Sequence, residues 1–230
     1  MAGKMESFPS ENKMGEALGY HVGDSSSKQG LIVIHEWWGQ NDQIKQQGAD
    51  FANDGNLQVL VPDLYRGKIA EDNETAGHLM NNLDWEGAIQ DISAAAKFLK
   101  SKGCVKVGVT GFCMGGALAF ASAALIPSDV SAAAPFYGIP STKLCDLTTI
   151  KIPVQCHFGK KDEIEGFSSK KDYDPVREKL EKAGVNMEFY EYDCGHAFCN
   201  PANRIGENYN AEAAKLATSR MFVFMNKNLQ

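Results

Sequence analysis

The amino-acid sequence predicts an α/β domain built on a mostly parallel sheet with helices on both faces. Strand-length apolar runs alternate along the chain with stretches of helical periodicity, the order that a chain of βαβ units produces. The runs are also near-continuously apolar rather than alternating, as expected for strands covered on both sides. A length of 230 residues, with 43% hydrophobic and 23% charged residues, suits one such core.

Residues 1–27 are polar and rich in Ser, Gly and Lys. They are expected to form a lead-in segment with room for one early hairpin, ahead of a single domain over 28–230. LIVIH at 31–35 is the first strong strand. DQIKQQGADFAND at 42–54 follows as a helix, with Asn41 or Asp42 as cap and Gly55 as stop. LQVLVPDL at 57–64 is the next strand, ended by Pro62, and a polar loop leads to a helix over 84–102. There Trp85, Ile89, Ile92, Ala96 and Leu99 recur at helical spacing before Gly103.

VKVGVT at 105–110 is a buried strand, GFCMGG a tight turn and ALAFASAAL at 117–125 a helix. VSAAAPFYG, PVQCHFG and MEFYEYD read as three further strands. Helices are expected around 173–183 and 208–227, the last with Ala213, Leu216, Ala217 and Phe224 on its apolar side. In open sheets of this kind ligands bind beyond the carboxyl ends of the strands, so the loops there are the places to look for chemistry.

A formal charge of −6 argues against a general affinity for nucleic acid or for an anionic membrane surface. No apolar run approaches the roughly 18–20 residues that span a bilayer, and the first fifteen residues contain no apolar h-region. A cytoplasmic setting is expected. Six dispersed cysteines without a CxxC pair fit free thiols in a reducing compartment. Cys194, His196 and Cys199 lie close together in sequence, but a zinc site needs a fourth spaced ligand, and no metal or cofactor is expected.

The chemistry-bearing segment is VGVTGFCMGGALAF, in which Cys113 occupies the centre of Gly-x-Cys-x-Gly between a strand and a helix. That spacing is the nucleophile elbow, a strained turn that lifts its central side chain above the sheet. The helix start adjacent to it supplies partial positive charge and free N–H groups, which favour a thiolate and can hold an oxyanion. A buried structural cysteine is the alternative for this motif alone. Context favours the elbow: Asp162 in GKKDEI follows the strand PVQCHFG, and His196 in DCGHAF follows MEFYEY. Nucleophile, acid, histidine is the chain order of α/β-hydrolases. Glu163 and Glu165 are substitutes for the acid. Glu36, in HEWWG at the end of the first strong strand, would face the mouth of the site as a second base, or sit as a solvated loop carboxylate.

Taken together, HEWWG, PDLYRG, GFCMGGALAF, FYG, GKKD and GHAF resemble the dienelactone hydrolase family of α/β-hydrolases from about residue 28 to the C-terminus. The resemblance implies a Cys113–His196–Asp162 triad, Glu36 coupled to the thiol, and an oxyanion hole from the backbone N–H groups of Trp37 and Met114. It also implies a thiol activated on substrate binding, a thioester intermediate and a small ester or lactone as substrate, for a monomer or small homo-oligomer. The sequence departs from the family at two arginines that hold a substrate carboxylate, where Gly67 and Asn200 stand; Arg66 and Arg204 are the nearby candidates to replace them. Trp37, Trp38, Tyr137 and Phe198 read either as an aromatic pocket lining or as plain core. Two other functions compete: a thiol-redox protein in which Cys194 or Cys199 resolves Cys113, and a hydrolase-fold protein that binds without catalysis.

Overall fold

The computed structural model describes residues 3–202 and 208–230. Eight strands form one sheet: β1 (Lys4–Phe8), β2 (Ala17–Val22), β3 (Gln29–Ile34), β4 (Gln58–Pro62), β5 (Lys106–Phe112), β6 (Ala132–Phe136), β7 (Val154–Gly159) and β8 (Met187–Tyr192). Their spatial order is β1-β2-β4-β3-β5-β6-β7-β8. From β4 to β8 every neighbouring pair is parallel, while β1 and β2 add an antiparallel edge. The helices are α1 (Asp42–Gly55), α2 (Asn73–Asn81), α3 (Trp85–Ser101), α4 (Met114–Leu125), α5 (Lys170–Lys182) and α6 (Ala211–Leu229).

The continuous apolar runs are explained by alternate residues serving opposite faces. In β3, Leu31 and Val33 pack with Ile44 and Phe51 of α1 and Met221 and Phe224 of α6. Ile32 and Ile34 turn the other way, toward Ile92 and Leu99 of α3 and Leu118 of α4. Each face thus has its own core, and strands such as β3 and β5 have no solvent side to mark with polar residues.

Helix ends follow side-chain chemistry. Asn41 caps α1 by accepting from the Ile44 N–H, and Asp84 caps α3 by accepting from Gly87. Gly55 is the last residue of α1, and Asn56 takes the left-handed position at φ 51° that ends it. A capping box between Ser169 and Asp172 starts α5 at Lys170, a turn earlier than its apolar residues indicate.

Two expectations need correction. The polar loop before residue 84 contains α2, which buries only Ala76 and therefore carries no apolar stripe to read. The segment expected as a lead-in does form a hairpin, β1 with β2, but β2 also pairs with β4, so the sheet extends across the boundary drawn at residue 28. Among the described residues no helix is long and apolar enough to cross a membrane.

Candidate active site

Cys113 stands between β5 and α4 with φ 54° and ψ −117°, a backbone conformation that costs a non-glycine residue of order 1–3 kcal/mol and persists only where the surroundings enforce it. Here they do. The Cys113 N–H donates to the Phe136 carbonyl at 3.1 Å, and the Cys113 carbonyl accepts from Ala117 at 3.0 Å. The turn also needs Gly115, because a Cβ there would lie 2.4 Å from the Ile34 carbonyl oxygen. The sulfur consequently sits at the N-terminus of α4, and its side chain makes no cap bond there.

β3 delivers HEWWG to the same end of the sheet. His35 is fully buried; one ring nitrogen lies 2.6 Å from the Glu36 carbonyl and the other takes the Leu64 N–H at 3.3 Å. The imidazole therefore ties the end of β3 to the PDLYRG turn. Burial, against a hydrogen bond and a nearby carboxylate, lowers its pKa, which suits a neutral connector. The backbone N–H groups of Trp37 and Met114 donate to no acceptor among the described residues.

Glu36 is no solvated loop carboxylate: it is 6% exposed. Asn200 Nδ2 donates to one carboxylate oxygen at 2.5 Å and the Tyr137 hydroxyl to the other at 3.3 Å. Burial raises its pKa above the usual carboxylate range, opposed by the Asn200 bond, the charge of His196 and the bonds from Tyr137 and Trp38.

Asp162 and His196 meet because β7 and β8 end side by side. Lys160 and Lys161 continue the ladder by donating to the Tyr192 and Cys194 carbonyls, at 2.8 and 2.9 Å. Gly159 permits this approach, since a Cβ there would lie 2.5 Å from the Cys194 carbonyl oxygen. Asp162 Oδ2 is 2.8 Å from His196 Nδ1, and Oδ1 accepts from the Ile164 N–H at 3.0 Å. Both side chains are buried. A carboxylate oxygen facing Nδ1 keeps a proton on that nitrogen, which leaves Nε2 as the nitrogen able to take up and release a second one. Nε2 is buried and, among the described residues, meets no partner at hydrogen-bond geometry. Burial lowers the His196 pKa, but a Cys113 thiolate charge and the Asp162 bond together outweigh it, and the net shift is upward.

The aromatic residues divide clearly. Tyr137 and Phe198 are fully buried and Trp38 nearly so. Tyr137 packs edge-on against His196 and Phe198, with ring centroids 5.1 and 5.3 Å apart. They pack around Glu36 and His196 within the buried site, while Trp37 is partly exposed.

Arg66 is engaged within the protein itself. Its guanidinium pairs with Asp91 of α3 at 2.8 Å and donates to the Asp63 carbonyl at 3.2 Å. Asp91 also accepts from Ser10 and Asn12, so Arg66 helps clamp the N-terminal hairpin to α3. Removing one partner of a buried pair strands the other. Arg66→Ala is expected to lower stability to urea by about 2–3 kcal/mol while leaving turnover per folded molecule unchanged. Arg204 lies outside the described residues.

Two neighbours of the site were not singled out from sequence for the parts they take here. Asn200 drew notice only as a departure from a family arginine, yet it holds Glu36. Ser168 gave no signal, being one of two adjacent loop serines; its Oγ lies 3.1 Å from His196 Nδ1. Among the described residues no group of three His, Cys, Asp or Glu side chains is arranged to hold a metal ion.

The model of the dienelactone hydrolase family matches residues 18–229. Protein usf of Aquifex pyrophilus is 37% identical over 74% of this chain and 77% of its own length. Carboxymethylenebutenolidase of Pseudomonas putida is 28% identical over 85% of this chain and 84% of its own. Among solved structures, a dienelactone hydrolase-like promiscuous phosphotriesterase from metagenomic libraries superposes with a TM-score of 0.84 at 19% identity, with both chains fully covered.

Proposed function

This chain belongs to the dienelactone hydrolase family, and we propose that it opens a carboxylic ester or lactone through the sulfur of Cys113, with His196 and Asp162 as its proton-handling partners. The observation that carries this reading is the buried Asp162–His196 contact at 2.8 Å, with Cys113 close enough to act on the same ring through its charge and a side-chain hydrogen bond.

The sulfur attacks the carbonyl carbon as a thiolate, with the proton held as imidazolium on His196 Nε2. Negative charge develops on the carbonyl oxygen, where the N–H groups of Trp37 and Met114 would hold it. As the tetrahedral adduct collapses, the C–O bond breaks and Nε2 gives its proton to the departing alkoxide, leaving a thioester on Cys113. A water then gives a proton to Nε2 and adds to the thioester, and the thiolate departs with imidazolium restored. Asp162 stabilises that cation throughout.

Glu36 is assigned as the carboxylate coupled to the thiol. It and Cys113 both bear electrostatically on Tyr137, which supports their proximity. The bond from Asn200 favours the ionised form of Glu36, so Asn200→Ala should raise the Glu36 pKa further. The acid limb of kcat/KM is expected to move to higher pH in that variant, and an unmoved limb would remove Glu36 from the proton path.

The thiol-redox reading needs a second cysteine that ionises readily. Burial, followed by the charges of Glu36 and Cys194, pushes the Cys199 thiol well up, and burial and Asp193 raise that of Cys194. Both thiols are thus held protonated more firmly than a free cysteine, which weighs against this reading. A panel of aryl esters and small lactones, assayed before and after iodoacetamide treatment, tests the proposal: hydrolysis should be present, lost on alkylation, and protected by substrate. Hydrolysis unaffected by complete alkylation of Cys113 would end it, and no hydrolysis of any panel member would favour a binding protein.

A further inference from the structure

We propose that Ser168 is a positioning residue for His196: its hydroxyl is the second acceptor on Nδ1 and shares with Asp162 the work of aiming the ring at Cys113. The inference rests on the triad reading above and assigns a role to a residue outside that triad.

Ser168 Oγ lies 3.1 Å from His196 Nδ1, beside Asp162 Oδ2 at 2.8 Å. Ser168 is completely buried. Buried hydroxyls commonly satisfy themselves on a backbone carbonyl, yet among the described residues the imidazole is the sole hydrogen-bond partner of this one. With Asp162 Oδ2 accepting from Nδ1, that nitrogen carries the proton, and the serine oxygen is placed to accept the longer arm of a shared N–H bond.

The local backbone holds the serine in register with the acid. Ile164 N–H donates to Asp162 Oδ1 at 3.0 Å, and the Ile164 carbonyl accepts from Ser168 at 3.0 Å and from Ser169 at 3.1 Å. Residues 162–169 therefore form one closed turn with both Nδ1 partners at its ends. The turn is braced on either side. Ser169 opens α5 through its capping box with Asp172, and the Phe167 carbonyl takes the Ile139 N–H at 3.1 Å. The Phe167 ring also lies against His196, centroids 6.3 Å apart. A single acceptor leaves an imidazole free to pivot about its one bond. Two acceptors held in one rigid turn narrow that motion, and near-attack geometry is sensitive to small misplacements.

Acceptors on Nδ1 stabilise the imidazolium, so losing one lowers the pH at which His196 gives up its proton. Ser168→Ala is therefore expected to reduce kcat about three- to tenfold, to leave KM nearly unchanged, and to shift the basic limb of the pH–rate profile to lower pH. A merely structural serine would change Tm without moving that limb. The measurement is the pH dependence of kcat and KM for wild type and Ser168→Ala on one ester, with Cys113→Ala alongside. Lower kcat with a displaced basic limb supports the role. A wild-type kcat and an unmoved limb overturn it, whatever happens to Tm. If Cys113→Ala itself turns over normally, the triad reading fails instead, so the two failures are told apart.

Discussion

Cys113→Ala is expected to lose activity by about 10⁴-fold or more, the scale seen when a nucleophile is removed from a hydrolase triad. The fold should survive. Alanine is smaller than cysteine, and the strained backbone at 113 is enforced by contacts to Phe136 and Ala117 that do not involve the side chain. Cys113→Ser is the sharper variant, since it keeps the shape and an attacking atom. A hydroxyl does not ionise near neutral pH as a thiol can, and the raised imidazole pKa was owed in part to the thiolate charge. With that charge gone, serine must be deprotonated during attack by a site arranged to hold an ion pair, and about 10²-fold or more should be lost. Steady-state rates on an activated ester, with circular dichroism as the fold control, read both variants.

His196→Gln should cost about 10³- to 10⁴-fold, because one ring both holds the proton removed from the thiol and delivers it to the leaving group. The pH dependence gives a second reading. In the folded protein the His196 pKa is raised, so imidazolium persists through neutral pH and is lost as the pH climbs through the folded value. Wild-type kcat/KM should therefore fall on the alkaline side, above the ordinary imidazole range. The residual rate of His196→Gln should lack that limb. A variant retaining both rate and limb would mean that another group carries the proton.

Much of the architecture was legible because burial on two faces forces continuous apolar runs, and β3 through β7 show them. The elbow was legible for a related reason: the close contact of Gly115 with Ile34 and the turn at Cys113 leave a fixed spacing of small residues. The acid and histidine could be placed because each lies just past a strand end. What the sequence concealed depends on contacts between distant segments. Arg66 has its partner 25 residues away on α3, and nothing in PDLYRG announces that destination. Asn200 and Glu36 are separated by 164 positions, so a neutral amide holding a buried carboxylate could be noticed only as a missing arginine. α2 escaped because one buried alanine leaves no periodicity. Ser168 escaped because a loop serine is the commonest of polar residues, and only its burial against Nδ1 separates it from its neighbour Ser169.

The central claim is covalent: the acyl group passes through the sulfur of Cys113. Quenching the protein with acid during turnover of an activated ester, then measuring its intact mass and mapping its peptides, tests that claim directly. One acyl group should appear on the peptide containing Cys113, decay as product forms, and be absent from Cys113→Ala. Turnover at the wild-type rate by Cys113→Ala, or an acyl group that forms and decays on a different residue, would contradict it.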